Sequence, residues 1–165
     1  MNSGRGKLMT LRGLKTVVER LRKRGKRIVL ANGCFDLLHV GHVRYLAEAK
    51  SLGDVLVVGV NGDRSVRQLK GKGRPLMPES ARAELVAGFD CTDYVIVFRE
   101  PNVERLLRAI RPDVHAKGGD YTIDTVPERA VVKSYGGRVA IAGGPKVRAT
   151  RGIIDQVKRF HRLAS

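Results

Sequence analysis

Five short, nearly continuous aliphatic runs alternate along this chain with stretches of helical periodicity, and that alternation narrows its folds more than any other feature. The runs cover 28–31, 55–60, 94–98, 114–116 and 138–141. Strands that are apolar on both faces belong in a parallel sheet covered by helices on either side. Ahead of the first run, Thr10 can cap a helix over 10–25, in which Leu11, Leu14, Val18 and Leu21 recur at spacings of three and four and Gly25 is the stop. Further helices are expected at about 41–52, 64–69, 79–89, 103–110 (capped by Asn102), 128–135 and 150–163, with a basic, Gly- and Pro-containing loop at 70–78. The last helix carries Ile153, Ile154, Val157 and Phe160 at helical spacing. Strands alternating with helices pair in parallel through right-handed crossovers. The expected fold is therefore α/β: a Rossmann-like, doubly wound, five-stranded parallel sheet with helices on both faces. Its ligand belongs beyond the carboxyl ends of the strands, at the switch point between strands one and four. The turns at that edge carry His39 and His42, Asn61 and Asp63, Lys117 and Asp120, and Lys146 and Arg148.

With 165 residues the chain fits one domain, 1–165, in which 1–9 are expected to be flexible. No apolar run approaches the ~20 residues that span a bilayer. The N-terminus lacks the apolar core of a secretory signal, and Cys34 and Cys91 make no disulfide framework. A cytoplasmic protein with no membrane partner is expected. The net charge of +16 favours anionic partners, although much of it reads as solvated surface. Its densest cluster is Arg20, Arg22, Lys23, Arg24, Lys26 and Arg27. Aromatic residues make up 5% of the chain and do not interleave with that cluster, which argues against a nucleic-acid stacking platform.

The most informative turn is Asn32-Gly33-Cys34-Phe35-Asp36-Leu37-Leu38-His39-Val40-Gly41-His42. It carries two imidazoles from the end of the first strand into a helix N-terminus. Histidine takes a positive charge near neutral pH, and a helix N-terminus presents unpaired N–H groups to anions. Gly41 has no side chain to keep a phosphate off the backbone. His39 and His42 could thus hydrogen-bond a polyphosphate and offset charge that builds on it in a transition state. Two plainer readings are a pair of capping histidines and a zinc site drawing on Cys34, His39, His42 and His115; the absence of paired thiols weighs against zinc, and no resident metal is expected. Neither a Walker phosphate loop nor a dinucleotide-binding glycine fingerprint is present.

This turn and its helix resemble the His-x-Gly-His nucleotidyltransferase superfamily. Together with Leu69-Lys70-Gly71-Lys72-Gly73-Arg74-Pro75, Arg82 and Lys117-Gly118-Gly119-Asp120-Tyr121, they are similar to a narrower group: the adenylyltransferase domain of bacterial heptose-phosphate kinase/adenylyltransferases and its stand-alone forms. The likeness runs from about 10 to 160. It implies that a sugar 1-phosphate, D-glycero-β-D-manno-heptose 1-phosphate, attacks the α-phosphorus of ATP, with Mg²⁺ on the phosphates, giving ADP-heptose and pyrophosphate. By motif match His39, His42 and Lys70 are catalytic. Gly33, Phe35, Asp36 and Gly41 line the first turn, Arg82 is a second cation, and Lys117, Gly118 and Asp120 contact the nucleotide or the metal's surroundings. For Asp36 a cap on the turn's own backbone is an equal reading. At the last helix the family commonly has a Ser-Thr pair; Ala149 lacks the first hydroxyl here, leaving Thr150 and Arg151 to hold phosphate. The partners implied are small molecules, ATP and a sugar 1-phosphate, and a homo-oligomer, most simply a dimer, is expected. The alternatives are a cytidylyltransferase acting on glycerol 3-phosphate or a similar alcohol phosphate, more distantly an FMN adenylyltransferase, and a noncatalytic nucleotide- or RNA-binding module.

Overall fold

The aliphatic runs become five strands: β1 (Ile28–Gly33), β2 (Val55–Asn61), β3 (Tyr94–Phe98), β4 (Val114–Gly118) and β5 (Arg138–Ala142). In this computed structural model, which describes residues 4–144 and 150–163, they form one all-parallel sheet in the order β3-β2-β1-β4-β5. The helices are α1 (Leu11–Lys23), α2 (Val40–Ser51), α3 (Asp63–Lys70), α4 (Glu79–Ala87), α5 (Glu104–Ile110), α6 (Arg129–Ser134) and α7 (Thr150–Leu163). The Rossmann-like expectation holds, including the adjacency of β1 and β4. Among the described residues no helix is long and apolar enough to cross a membrane.

Strand periodicity explains the two-sided core. Successive β1 side chains point to opposite faces. Val29 and Ala31 therefore join Leu46 and Ala49 of α2 and Val86 of α4, while Ile28 and Leu30 join Leu14 of α1, Leu107 of α5 and Val132 of α6. At the amino ends of the strands, aspartates satisfy backbone donors that the ladder leaves over. Asp54 accepts from Arg27 N, Asp113 from Ile28 N and Asp93 from Leu56 N, each at 2.7 Å.

Several boundaries differ from the sequence reading. β1 and β4 run on to Gly33 and Gly118, because ladder pairing of Asn32 with Gly59 and of Lys117 with Ile141 outweighs the weak strand propensity of Asn, Gly and Lys. This puts Asn32, Gly33, Lys117 and Gly118 on the rigid sheet. The stretch 1–9 was expected to be loose, yet Gly4–Lys7 form a 3-10 turn and Leu8 bridges Val95 in parallel. Met9 N donates to Val95 O at 2.8 Å and Lys7 Nζ to Phe89 O at 3.0 Å, so tertiary contacts with the β3 side of the sheet supply the order that local propensity lacks. In α7, Val157 and Phe160 are exposed. Lys146, Arg148 and Ala149 lie outside the described residues, as do the side chains of Thr150 and Arg151.

β4 and β5 leave the sheet side by side, and their loops touch: a Cβ on Gly119 would lie 2.5 Å from the carbonyl oxygen of Gly144. Gly119→Ala must push those loops apart. The expected loss is about 1–3 kcal/mol of stability, read from urea unfolding.

Candidate active site

The carboxyl ends of the strands surround a cleft of about 810 Å³. Of the residues singled out from sequence, Gly33, Phe35, Asp36, His39, Gly41, His42, Lys70, Lys117, Gly118 and Asp120 all line it. Residues more than 80 positions apart in the chain thus meet at one sheet edge.

His39 is the N-cap of α2, and its Nδ1 accepts from Gly41 N at 3.1 Å. In return His42 Nδ1 accepts from His39 N at 3.3 Å. The rings lie 4.0 Å apart, tilted by 31°, and the buried Phe35 packs on His42 at 5.3 Å. A ring nitrogen that accepts carries no proton, so in each neutral imidazole the hydrogen sits on Nε2. Burial, with His39 beside it, pushes His42 from 6.5 down to about 4, and burial lowers His39 as well. The sequence reading invoked cationic imidazoles and free helix amides. Instead, two neutral rings occupy those amides and act as N–H donors through Nε2.

Asp36 is 2% exposed, and the backbone it holds is that of another segment rather than, as one expected reading had it, its own turn. Its carboxylate accepts from Leu76 N at 2.7 Å, Met77 N at 3.1 Å and the Arg74 guanidinium, which pins the 71–78 loop to the first turn. Lys70, at the end of α3, keeps an exposed ammonium at the cleft.

Arg82 is a correction. It is fully buried and away from the cleft lining, with Nε donating to Met77 O at 3.0 Å, Nη1 to Asn61 O at 2.7 Å and to Cys34 O, and Nη2 to Asp63 Oδ1 at 2.7 Å. Its guanidinium fastens the ends of β1 and β2 to α3 and to the loop before α4, so it cannot serve as a second cation for substrate. The motif match gave no sign of this, because an Arg on a helix reads the same whether it faces the core or the ligand.

The β4 side holds a polar cluster whose arrangement sequence reasoning did not give, although it named Lys117 and His115 separately. Lys117 and Glu128 are both nearly buried, with Nζ and Oε2 3.4 Å apart, and the ammonium lies 4.8 Å from the Tyr121 ring centre. Lys117 Nζ also reaches Asn32 Oδ1 at 3.5 Å, and fully buried His115 meets the same oxygen through Nε2 at 3.1 Å. Lys117 thus turns inward, toward the sheet's own polar groups. Burial, with Lys117 nearby, pushes His115 down to about 3. An imidazole inside an aliphatic strand was the available signal. Burial raises the Cys34 thiol, which keeps it protonated. Among the described residues no three His, Cys, Asp or Glu converge as a metal site.

A family model described as cytidylyltransferase-like matches residues 30–154, which span the first turn, the cleft and the start of α7. The chain belongs to the cytidylyltransferase-like family. Among relatives, the bifunctional protein HldE of Geobacter metallireducens is 52% identical over 155 residues, covering 94% of this chain and 32% of that protein. HldE of Pseudomonas paraeruginosa is 44% identical over 152 residues, covering 92% and 32%. The chain spans about a third of the length of these curated relatives. The crystal structure of the lipopolysaccharide core biosynthesis protein from Thermoplasma volcanium superposes with a TM-score of 0.61 at 32% identity, over 71% of this chain and 94% of that one.

Two predictions concern this cytidylyltransferase-like site. Arg82→Lys removes the planar fork and leaves buried carbonyl oxygens unpaired, so unfolding in urea should show a loss of about 3 kcal/mol. The second concerns acid. Unfolded histidines take up protons near 6.5, whereas folded His42 waits until about 4 and His115 until about 3. Their contribution to stability is complete above pH 6.5 and drains away as pH falls toward those lower values. Between pH 7 and 4 the wild type should therefore lose more stability than His42→Gln in parallel urea titrations.

Proposed function

We propose that this chain is a nucleotidyltransferase that moves the AMP unit of ATP onto a sugar 1-phosphate, D-glycero-β-D-manno-heptose 1-phosphate, with release of ADP-heptose and pyrophosphate. The paired Nε2–H groups at the mouth of the strand-end cleft carry this reading. Support for the sugar comes from the motif likeness, from HldE relatives that match nearly the whole chain, and from the lipopolysaccharide core biosynthesis neighbour.

An oxygen of the sugar phosphate forms a bond to the α-phosphorus while the bond to the bridging oxygen of pyrophosphate breaks in line. The attacking phosphate oxygen needs no proton removed, so the site requires no general base. Positioning and charge stabilisation are what remain for the protein to supply. His39 and His42 donate Nε2–H to phosphoryl oxygens. Because each Nδ1 accepts from the start of α2, the rings pass the positive end of that helix on to the phosphates. Lys70 adds mobile positive charge against two anionic substrates. Gly33, Phe35 and Gly41 shape the turn under the phosphates, and Asp36 holds the loop beyond Lys70. Gly118 and Asp120 face the nucleotide side of the cleft. Thr150 and Arg151 are proposed as phosphate contacts at the start of α7. A Mg²⁺ ion bound with ATP would be held chiefly by the triphosphate and would supply charge neutralisation there. The donor set fits such an ion better than a resident one, because Asp36 is committed to the loop and Glu128 to Lys117.

Pyrophosphate release should be measured with ATP and with CTP against heptose 1-phosphate, hexose 1-phosphate, glycerol 3-phosphate and FMN. ATP with heptose 1-phosphate should be fastest; faster turnover of CTP with glycerol 3-phosphate would replace this reading with a cytidylyltransferase. His42→Ala should lower kcat by about 10²–10³-fold at unchanged circular dichroism. Lys70→Ala should lower kcat/KM by roughly 10–100-fold.

A further inference from the structure

Asn32 lines the cleft with its side-chain oxygen held by Lys117 and His115. An ammonium can only donate, so the Asn32 atom facing Lys117 Nζ is the carbonyl oxygen and the amide nitrogen must point the other way. The same oxygen faces His115 Nε2, so that nitrogen carries the imidazole proton and Nδ1 is bare. Nδ1 is indeed buried with no hydrogen-bond partner, as a second proton would require an acceptor that is not there. The cation identifies the amide oxygen, and His115 Nε2–H, at the shorter distance, holds that oxygen in place. The backbone is held as firmly: Asn32 N donates to Tyr45 Oη at 3.2 Å, and Tyr45 Oη donates to Ala116 O at 2.8 Å.

Both N–H bonds of Asn32 Nδ2 are left over. Among the described residues they meet no acceptor, and Asn32 lines the cleft between the His39–His42 turn and Lys117. Such an arrangement is costly to build. Lys117, Glu128 and His115 are all nearly or fully removed from water, and an aliphatic residue at 115 would extend the hydrophobic run at no such cost.

We propose that Asn32 is a substrate-binding residue whose Nδ2 donates to an oxygen of a bound phosphorylated substrate, and that His115 is its positioning residue. The proposal rests on the nucleotidyltransferase reading of the cleft. The oxygen belongs either to ATP or to the sugar 1-phosphate, and separate titrations tell them apart.

The experiment follows the side-chain amide ¹⁵N–¹H signals of Asn32, assigned by their loss in Asn32→Ala, while ATP or heptose 1-phosphate is added. Calorimetric Kd values are measured for both ligands in wild type, Asn32→Ala, His115→Leu and His115→Gln. One ligand should shift the Asn32 signals and bind about tenfold more weakly to Asn32→Ala, as expected for one lost hydrogen bond, while the other changes by less than about twofold. His115→Leu should weaken the same ligand in the same direction, and His115→Gln, which restores an N–H donor, should recover it. Unshifted amide signals, or Kd values for both ligands within about twofold of wild type in Asn32→Ala, overturn the proposal. Equal weakening in His115→Leu and His115→Gln overturns the positioning role. If His115→Leu does not fold, the wild-type amide signals and His115→Gln decide. Should wild type release no pyrophosphate from any substrate pair while a ligand still shifts Asn32, the enzymatic reading fails and the binding role stands.

Discussion

Each imidazole of the first turn commits one nitrogen to a backbone amide of the other's segment, and the character of the whole cleft follows from that exchange. His39 accepts from Gly41 and His42 accepts from His39, so neither ring can rotate without unmaking the start of α2. A single neutral hydrogen bond of this kind contributes only about 1 kcal/mol, but the two share one turn and fix two rotamers and two tautomers together. The rings present preset N–H donors, which in the proposed reaction would need no reorganisation as charge develops on a phosphoryl group. They are also neutral, which shifts the work of attracting anions onto other groups.

Those other groups divide according to what holds them. Arg82 and Arg74 are guanidinium groups already engaged, one by carbonyls and Asp63, the other by Asp36. Arginine suits this because its five donors can serve several acceptors in fixed directions. Lys117 is an ammonium locked to Glu128. Lys70 differs from all three: it is exposed on the last turn of a helix, at the cleft, on a four-carbon stem. The paired cations thus shape the cleft, and the proposed function assigns the exposed Lys70 to the substrates.

The order of elements could be read from the sequence because aliphatic runs and 3.6-residue periodicity respond to the same burial that builds the sheet. The turn holding His39 and His42 was legible for a related reason: strand, turn and helix signals adjoin there and leave one edge for the side chains. Orientation was not legible. Whether Arg82 faces the core or the cleft depends on carbonyl groups at Cys34, Asn61 and Met77, which come from three separate segments. The protonation of the imidazoles was misjudged for the same reason, since spacing gives no measure of burial. The link between Asn32 and His115 was not legible, although both residues were named, and Glu128 escaped notice; the pairing of β1 with β4 is what makes Asn32 and His115 neighbours.

The large positive charge is a separate matter from the chemistry. Arg20, Arg22, Lys23, Arg24, Lys26 and Arg27 gather where α1 ends and β1 begins, at the amino end of the strands, whereas the cleft lies at the carboxyl end. The length of β1 separates them by roughly 20 Å, more than twice the ~8 Å screening length at physiological salt. Part of that cluster also has local work. Arg22 donates to the carbonyl oxygens of Ile110 and Arg111 at the end of α5, and Lys26 pairs with Asp54. These charges can raise the rate at which anions meet the protein at low salt, an effect that fades as salt is added. They cannot discriminate a transition state from a ground state. Only groups lining the cleft could do that, and the proposed function gives that role to the paired Nε2–H donors and Lys70 among others.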